Sequence, residues 1–404
     1  MSTTSIAKTP VSAAAALTWA AYASFVPIGI ATVLLGPMLP TLSAQWSLNY
    51  AQAGALFTAQ YLASTVAVGL SGILASRWGF RFPMKAGLWL VAAGLGLLLA
   101  GPRWIGVACI AAYGAGLGLA VPAANLLVAA ANPERRSARL NLLNFFWSAG
   151  AVACPFLVAA ADKSHRIPLF LGLIAVFCAV VAIGIAAMPA RIVDPPASRP
   201  AGMRMLPFIR QRVSAFVILA VLFLVYVGTE NGFGQWVASY AKSLGSMTLA
   251  VAVMTPSFFY AALMFGRWIA PLLLRTIDEI KLVQAGLLLA CAGTAGLLFS
   301  NGLAGVVASA CAAGLGLSAV YPITISLLSR EFGTASSQIG SVMFVMSNLG
   351  GALLPWSVGL ASNRFGTLRA GLLVPLLGCM VMYVLYRREW SEAQSEGVKE
   401  GIAV

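Results

Sequence analysis

Apolar runs as long as a lipid bilayer is thick recur along this 404-residue chain, and they exclude a soluble fold. A hydrocarbon core about 30 Å thick takes about 20 apolar residues of helix. Cutting at charges, prolines and glycines gives twelve such segments, approximately 17–43, 50–75, 84–101, 104–131, 139–161, 167–188, 213–241, 247–274, 282–299, 303–329, 337–361 and 368–386. Only 9% of the residues are charged and 60% are hydrophobic, whereas a soluble domain carries about 25% charge. In lipid each segment has to satisfy its own backbone hydrogen bonds, so each reads as a helix. The expected fold class is an all-α membrane protein with twelve transmembrane helices.

The formal net charge of +14 would suggest nucleic acid if it formed a soluble patch. The basic residues instead punctuate the apolar runs, which points to membrane orientation and to no nucleic-acid partner. With both termini cytoplasmic, only Arg103, Lys163, Arg166, Lys242, Arg364 and Arg369 of the 25 Lys and Arg fall on the outer side. That is a strong positive-inside bias. Between the sixth and seventh segments, Pro189 to Arg212 is rich in Pro and Arg, including the run Asp194-Pro-Pro-Ala-Ser-Arg-Pro200. It reads as a cytoplasmic linker over 189–212, between an N-terminal six-helix bundle (1–188) and a C-terminal one with a short cytoplasmic tail (213–404). The expected setting is a bacterial inner membrane, with a monomer in the bilayer. Lys8 precedes a long first segment without a small-residue cleavage pattern, which reads as an uncleaved anchor.

Cofactor chemistry has little footing. Cys109, Cys154, Cys178, Cys291, Cys311 and Cys379 all lie inside apolar runs and read as small packing residues. The single His165 lies in a loop run, Asp162-Lys-Ser-His165, without the ligand set of a metal site. No cofactor and no metal are expected, and without a nucleophile–base pair an enzyme is the least favoured reading.

A shift of 200 residues brings the halves into register without a gap. Gly114 meets Gly314, Gly116 meets Gly316, Leu117 meets Leu317 and Pro122 meets Pro322; further on, Gly150 meets Gly350 and Pro155 meets Pro355. Small residues are common in membrane helices, which explains matched glycines but not matched prolines. Duplication is the better account. Parallel six-helix repeats with a site at their interface describe one large class of secondary transporters.

The loop between the second and third segments reads Gly72-Ile-Leu-Ala-Ser-Arg77-Trp-Gly79-Phe-Arg81. It is similar to the cytoplasmic signature of the major facilitator superfamily (Gly, Leu, Ala, Asp, Arg, any residue, Gly, Arg), with Ser76 where the family usually has Asp. The resemblance covers nearly the whole chain and implies two six-helix bundles in the major facilitator fold. It also implies gating roles for Gly72, Arg77, Gly79 and Arg81, with Gly266 and Arg267, followed by Arg275, as a degenerate second copy. The fifth segment, Arg139-Leu-Asn141-Leu-Leu-Asn144-Phe-Phe-Trp147-Ser-Ala-Gly150, resembles that of fucose-permease-like and sodium/glucose-type facilitators. So does Tyr226-Val-Gly-Thr-Glu230 with Gly234-Gln-Trp236 in the seventh. Those relatives carry sugars. Their proton-coupling carboxylates, in the first and fourth segments, have no counterpart in this chain, which has only Asn125 in the fourth.

Glu230 is the one acidic residue that no aqueous loop claims. An ionisable group at the bilayer centre costs roughly 2.5–3.5 kcal/mol or more, so it usually faces a water-filled path. Counting 17 residues at 1.5 Å from Val213 puts it roughly 26 Å across, in the outer half of the membrane. Gly228, Gly232 and Gly234 make the helix around it easy to break. Asn141, Asn144 and Ser148 share a face of the fifth segment; Ser341, Phe344 and Asn348 occupy corresponding positions in the eleventh, joined by Gln338. Two facing polar stripes suit a substrate cleft, although the same amides also serve as interhelical hydrogen bonders worth about 0.6 kcal/mol on average.

Sugars offer hydroxyls around a ring with apolar faces. Amides donate and accept, and an indole stacks. Gln60, Tyr61, Asn125, Asn141, Asn144, Trp147, Asn231, Gln235, Trp236 and Asn348 supply that mixture, with Glu230 as substrate ligand or coupling group. Membrane tryptophans also act as interfacial anchors. With Arg267 assigned to the inner end, no buried cation is left for an anionic substrate, so the expected substrate is a neutral hexose-like sugar, moved with a proton, with sodium, or alone. The alternative is an exporter of drugs, siderophores or other amphiphilic molecules. A non-transporting nutrient receptor would need a longer tail than this chain has.

Overall fold

Residues 11–132, 135–188 and 205–400 are described by the structure, a computed structural model. The described residues are almost wholly helical. The first half holds α1 (Val11–Val33), α2 (Leu35–Gln45), α3 (Tyr50–Trp78), α4 (Arg81–Gly96), α5 (Arg103–Ala131), α6 (Arg136–Lys163) and α7 (Ile167–Ala187). Of the expected linker, 189–204 lies outside the described residues and Met205–Gln211 forms the short helix α8. The second half holds α9 (Val213–Gly234), α10 (Val237–Ser243), α11 (Leu249–Leu273), α12 (Glu279–Phe299), α13 (Leu303–Leu317), α14 (Val320–Phe332), α15 (Ser336–Phe365), α16 (Leu368–Gly371) and α17 (Leu373–Glu400).

Among the described residues, 11 helices or helix pairs are long and apolar enough to cross a membrane. The third expected span is α4, whose 16 residues start at Arg81 and stop at Gly96, short of the length a full crossing takes. With it the spans number twelve, as the hydropathy pattern divides the chain.

Several spans are broken, and the breaks follow prolines. Proline has no N–H to give the carbonyl four residues back. Pro37 denies Val33, where α1 yields to α2; Pro322 denies Ser318, where α13 yields to α14; Pro375 denies Gly371, where α16 yields to α17. The α9–α10 break at Gln235–Trp236 has no proline and follows Gly232 and Gly234.

The chain sorts into two compact units. The first comprises 1–32, 63–150 and 168–201; the second comprises 33–62, 151–167 and 202–404. In the first unit α4 and α5 meet at a glycine seam, where a Cβ on Gly116 would stand 2.6 Å from the Gly87 carbonyl oxygen. In the second, a Cβ on Gly286 would stand 2.6 Å from the carbonyl of Gly316, between α12 and α13. Gly150 of α6 lies on the backbone of Val26 in α1; its repeat partner Gly350 of α15 lies on the backbone of Leu224 in α9. Gly116 with Gly316, and Gly150 with Gly350, matched at an offset of 200 residues, therefore pack against corresponding helices in each copy.

In the first unit α7 has one exposed and one buried apolar face. Along α7, Leu169, Leu173, Val176, Val180 and Ile183 are exposed, at helical spacing. Leu171, Ile174, Cys178, Ala182 and Ile185 on the opposite face are buried. An unbroken exposed apolar stripe of this kind suits acyl chains and not water.

Candidate functional site

α9 carries Tyr226 and Glu230 four residues apart on one face and Asn231 on the next, with Gln235 directly after its last residue. α11 carries Tyr260 and Arg267 seven apart on one face. Arg267 Nη2 stands 3.8 Å from Glu230 Oε2, with 29% of the arginine side chain and 12% of the glutamate side chain exposed. The same Nη2 donates to Tyr226 Oη at 3.2 Å. At about 4 Å and an effective dielectric near 20 the attraction between the charges is roughly 4 kcal/mol. That is comparable with the several kcal/mol each ion loses on leaving water. The pair is what allows a carboxylate to sit inside an apolar helix bundle.

Phenols and amides complete the surroundings. The Tyr321 ring, at the start of α14, lies 5.3 Å from that of Tyr226. Tyr61 Oη of α3 donates to Asn231 Oδ1 at 2.6 Å. Gln235 Nε2 donates to the same oxygen at 3.3 Å, and Asn231 Nδ2 returns to the Val227 carbonyl of its own helix at 2.8 Å. Tyr61, Tyr226, Tyr260 and Tyr321 all lie within electrostatic reach of Glu230. This cluster lies wholly within the second compact unit.

The expectation of a site without a buried cation is corrected, because Arg267 stands beside Glu230. Gly266 and Arg267 of the degenerate second copy lie inside α11, as Gly72 and Arg77 of the first lie inside α3, and Gly266 abuts the Ser318 side chain at the α13–α14 break. The loop that does follow α11 ends in Asp278, whose Oδ1 caps α12 by accepting from the N–H of Ile280 at 2.9 Å and of Lys281 at 3.3 Å. Glu230 falls just past the middle of the 31-residue segment Val213–Ser243.

The first copy of the loop is built differently from what a charge relay needs. Gly79 turns the chain between α3 and α4 with φ 77°, and Gly72 and Arg77 are exposed. Arg81 is buried, and its Nη2 donates to the carbonyls of Ile185 at 2.6 Å and Met188 at 2.8 Å, holding the end of α7. Ser76, at the position of the family's Asp, closes on Ile73 of its own helix at 2.8 Å.

The remaining expected ligands fall into two groups. In the first unit, Asn125 and Asn144 donate to carbonyls four residues back, Val121 and Leu140, each at 2.9 Å. Asn141 is exposed, and Trp147 Nε1 donates to Thr32 Oγ1 at 3.3 Å. In the second unit, Asn348 donates to Phe344 at 3.3 Å, and Gln60 is buried. The Gln338 side chain lies outside the described residues. Trp236 is corrected from a stacking plate to a packing residue. It is 1% exposed, gives its indole N–H to the Pro355 carbonyl at 2.9 Å, and rests beside Phe57.

Sequence reasoning missed Tyr226, Tyr260, Tyr321 and the pairing of Arg267. The available signals were the i, i+4 spacing of Tyr226 and Glu230 and the i, i+7 spacing of Tyr260 and Arg267.

Comparison with known proteins gives a consistent picture. The sequence profile of the Major Facilitator Superfamily matches residues 21–355. The Protein TsgA homolog of Erwinia tasmaniensis is 26% identical over 340 residues, covering 83% of this chain and 84% of that protein. Among solved structures, nucleoside transporter NupG is similar with TM-score 0.78 at 12% identity, over 93% of this chain and 99% of that one. The E. coli fucose:proton symporter FucP is similar with TM-score 0.62 at 22% identity, over 92% and 97%. At these identities the structural likeness establishes the fold alone.

Proposed function

The chain belongs to the major facilitator superfamily, and on that premise we propose that it moves a small hydroxyl-rich solute of hexose size across a bacterial inner membrane by alternating access. It is an integral membrane transporter and not an enzyme. The observation that supports the substrate reading is the set of phenols and amides (Tyr61, Tyr226, Tyr260, Tyr321, Asn231 and Gln235) that shares one compact unit with the Glu230–Arg267 pair, Tyr226 bonded to Arg267 and Tyr61 and Gln235 bonded to Asn231. Such groups donate to and accept from hydroxyls, and phenol rings offer flat faces to a sugar ring. The neutral charge expected of the solute rested on the lack of a buried cation, and Arg267 removes that premise.

In this reading, 1–188 and 213–404 act as the moving halves, both termini are cytoplasmic, and the unit of function is a monomer. The contacts of the first-half stretches 33–62 and 151–167 with second-half helices then close the outer side. Those contacts include Thr58 Oγ1 to the Ala352 carbonyl at 3.1 Å and Ser257 Oγ to the Val152 carbonyl at 2.9 Å. Counterflow of radiolabelled fucose and glucose into proteoliposomes tests the reading. Saturable counterflow supports it. No counterflow, combined with efflux of lipophilic cations, favours the exporter.

A further inference from the structure

One end of the second compact unit carries positive charge that no acid there neutralises. The connections α10–α11, α12–α13 and α15–α16 lie at the span ends that the topology reading puts outside. Lys242, Arg364 and Arg369 lie at these connections, and no Asp or Glu occurs in 231–277, 280–330 or 332–388. Among the described residues the ion pairs formed are those of Arg212, Arg267 and Arg330, so none of the three outer cations is in one. Each outer cation counts against the positive-inside bias, and three in one half call for a physical reason.

The same connections enclose a cleft of about 320 Å³, lined by Tyr240, Ser243, Leu244, Asn301, Thr367 and Arg369. Hydrogen bonds hold it in shape. Ser246 Oγ donates to the Asn301 carbonyl at 3.0 Å, tying α10–α11 to α12–α13. Arg369 Nη2 donates to Asn301 Oδ1 at 2.9 Å, tying α16 to the same residue. Tyr240 is buried and donates from Oη to the Leu297 carbonyl at 2.8 Å.

These bonds decide what each group has left to offer a ligand. Arg369 keeps the rest of its N–H fork, and Asn301, accepting through Oδ1, keeps Nδ2 as a donor. Thr367 Oγ1 accepts from the Arg369 backbone N–H at 3.3 Å and keeps its O–H as a donor. Ser243 spends its O–H on the Tyr240 carbonyl at 2.7 Å, so it is left to accept. A charged fork with two neutral donors suits a phosphate, and the single acceptor suits a hydroxyl beside it. Phe299 and Phe365, next to Ser300 and Gly366, are 80% and 71% exposed. Large apolar side chains bared at span ends suit acyl chains, for which a free anion has no use.

We infer that this cleft binds an anionic phospholipid of the outer leaflet through a phosphoglycerol headgroup. Arg369, Asn301 and Thr367 hold the phosphate, and Ser243 accepts from a glycerol hydroxyl. Lys242 and Arg364 attract the anion at longer range and repel an ammonium headgroup. The site is separate from the one proposed for the solute.

The test uses the delipidated full chain in detergent. Three lipids with identical acyl chains are added back: phosphatidylglycerol, phosphatidylethanol (the same charge without hydroxyls) and phosphatidylethanolamine. Free glycerol 3-phosphate is the soluble control. Binding is read by native mass spectrometry and by thermal shift. Phosphatidylglycerol is expected to bind about tenfold more tightly than phosphatidylethanolamine, and about three- to tenfold more tightly than phosphatidylethanol. Arg369→Gln should weaken phosphatidylglycerol binding about 10- to 100-fold. Ser243→Ala should bring phosphatidylglycerol down to the level of phosphatidylethanol and leave phosphatidylethanol unchanged, a selective effect that misfolding does not produce. Arg103→Gln, an outer cation of the other unit, should bind as the native chain does. Equal binding of phosphatidylglycerol and phosphatidylethanolamine overturns the proposal, as does native phosphatidylglycerol binding in Arg369→Gln. Glycerol 3-phosphate bound as tightly as phosphatidylglycerol overturns it in favour of a soluble anion. If Arg369→Gln melts below the native chain, the lipid preference of Ser243→Ala decides, and a native preference there overturns the proposal.

Discussion

Glu230 is legible in the sequence because a carboxylate within an apolar run has to be satisfied by something; its partner is not. Counting residues along α11 gives the depth of the Arg267 Cα but not the reach of a long side chain towards another helix. The same limit applies to Trp236, whose indole N–H is spent on the Pro355 carbonyl, a contact that spacing does not reveal. Three outcomes follow at this scale. Glu230→Gln should lower net uptake at least about tenfold with the melting transition retained, because an interaction with a charged group is worth about 1.5–3 kcal/mol. Tyr226→Phe removes the acceptor that steadies Arg267 at 3.2 Å and should cost solute affinity about three- to tenfold, read by thermal shift. Asn144→Ala and Asn348→Ala should each weaken affinity; unchanged affinity in both would make them packing residues, in keeping with their bonds to their own helices.

At the scale of elements, the helices themselves are readable from apolar length and the turns from glycine and basic residues. The breaks at Val33, Ser318 and Gly371 lie four residues before Pro37, Pro322 and Pro375, yet Pro122, Pro155 and Pro355 sit inside unbroken helices, so a proline in the sequence marks where a break is possible and not that it occurs. The α9–α10 break is foreshadowed only by glycines, which permit a break without requiring one. In the second half the side chain of Arg267 turns from α11 towards Glu230, which the motif fragment Gly266-Arg267 does not reveal. The seams give a stability prediction. A side chain at Gly350 runs into the Leu224 backbone, so Gly350→Val should destabilise the protein by about 1–3 kcal/mol or more, measured as a lowered melting temperature. A melting temperature equal to that of the native chain would show that the seam is loosely packed.

For the whole molecule, twelve spans, the repeat and the transporter class are all legible in the order of the residues, because hydropathy and small-residue register are written along one dimension. The grouping of 33–62 and 151–167 with second-half helices is not, since it depends on which way the ends of the spans lean. The topology reading predicts that a cysteine placed at Ser47 is labelled by a membrane-impermeant reagent in intact cells, while one at Gly79 is labelled only after lysis. The account turns on the ion pair as the place where solute is loaded. Its most direct measurement is solute counterflow in proteoliposomes by the native chain, Glu230→Gln and Arg267→Gln at equal reconstituted amounts. Arg267→Gln is predicted to lose solute exchange, and Glu230→Gln to keep exchange while losing its dependence on pH. Native rates and native pH dependence in both variants would contradict the account.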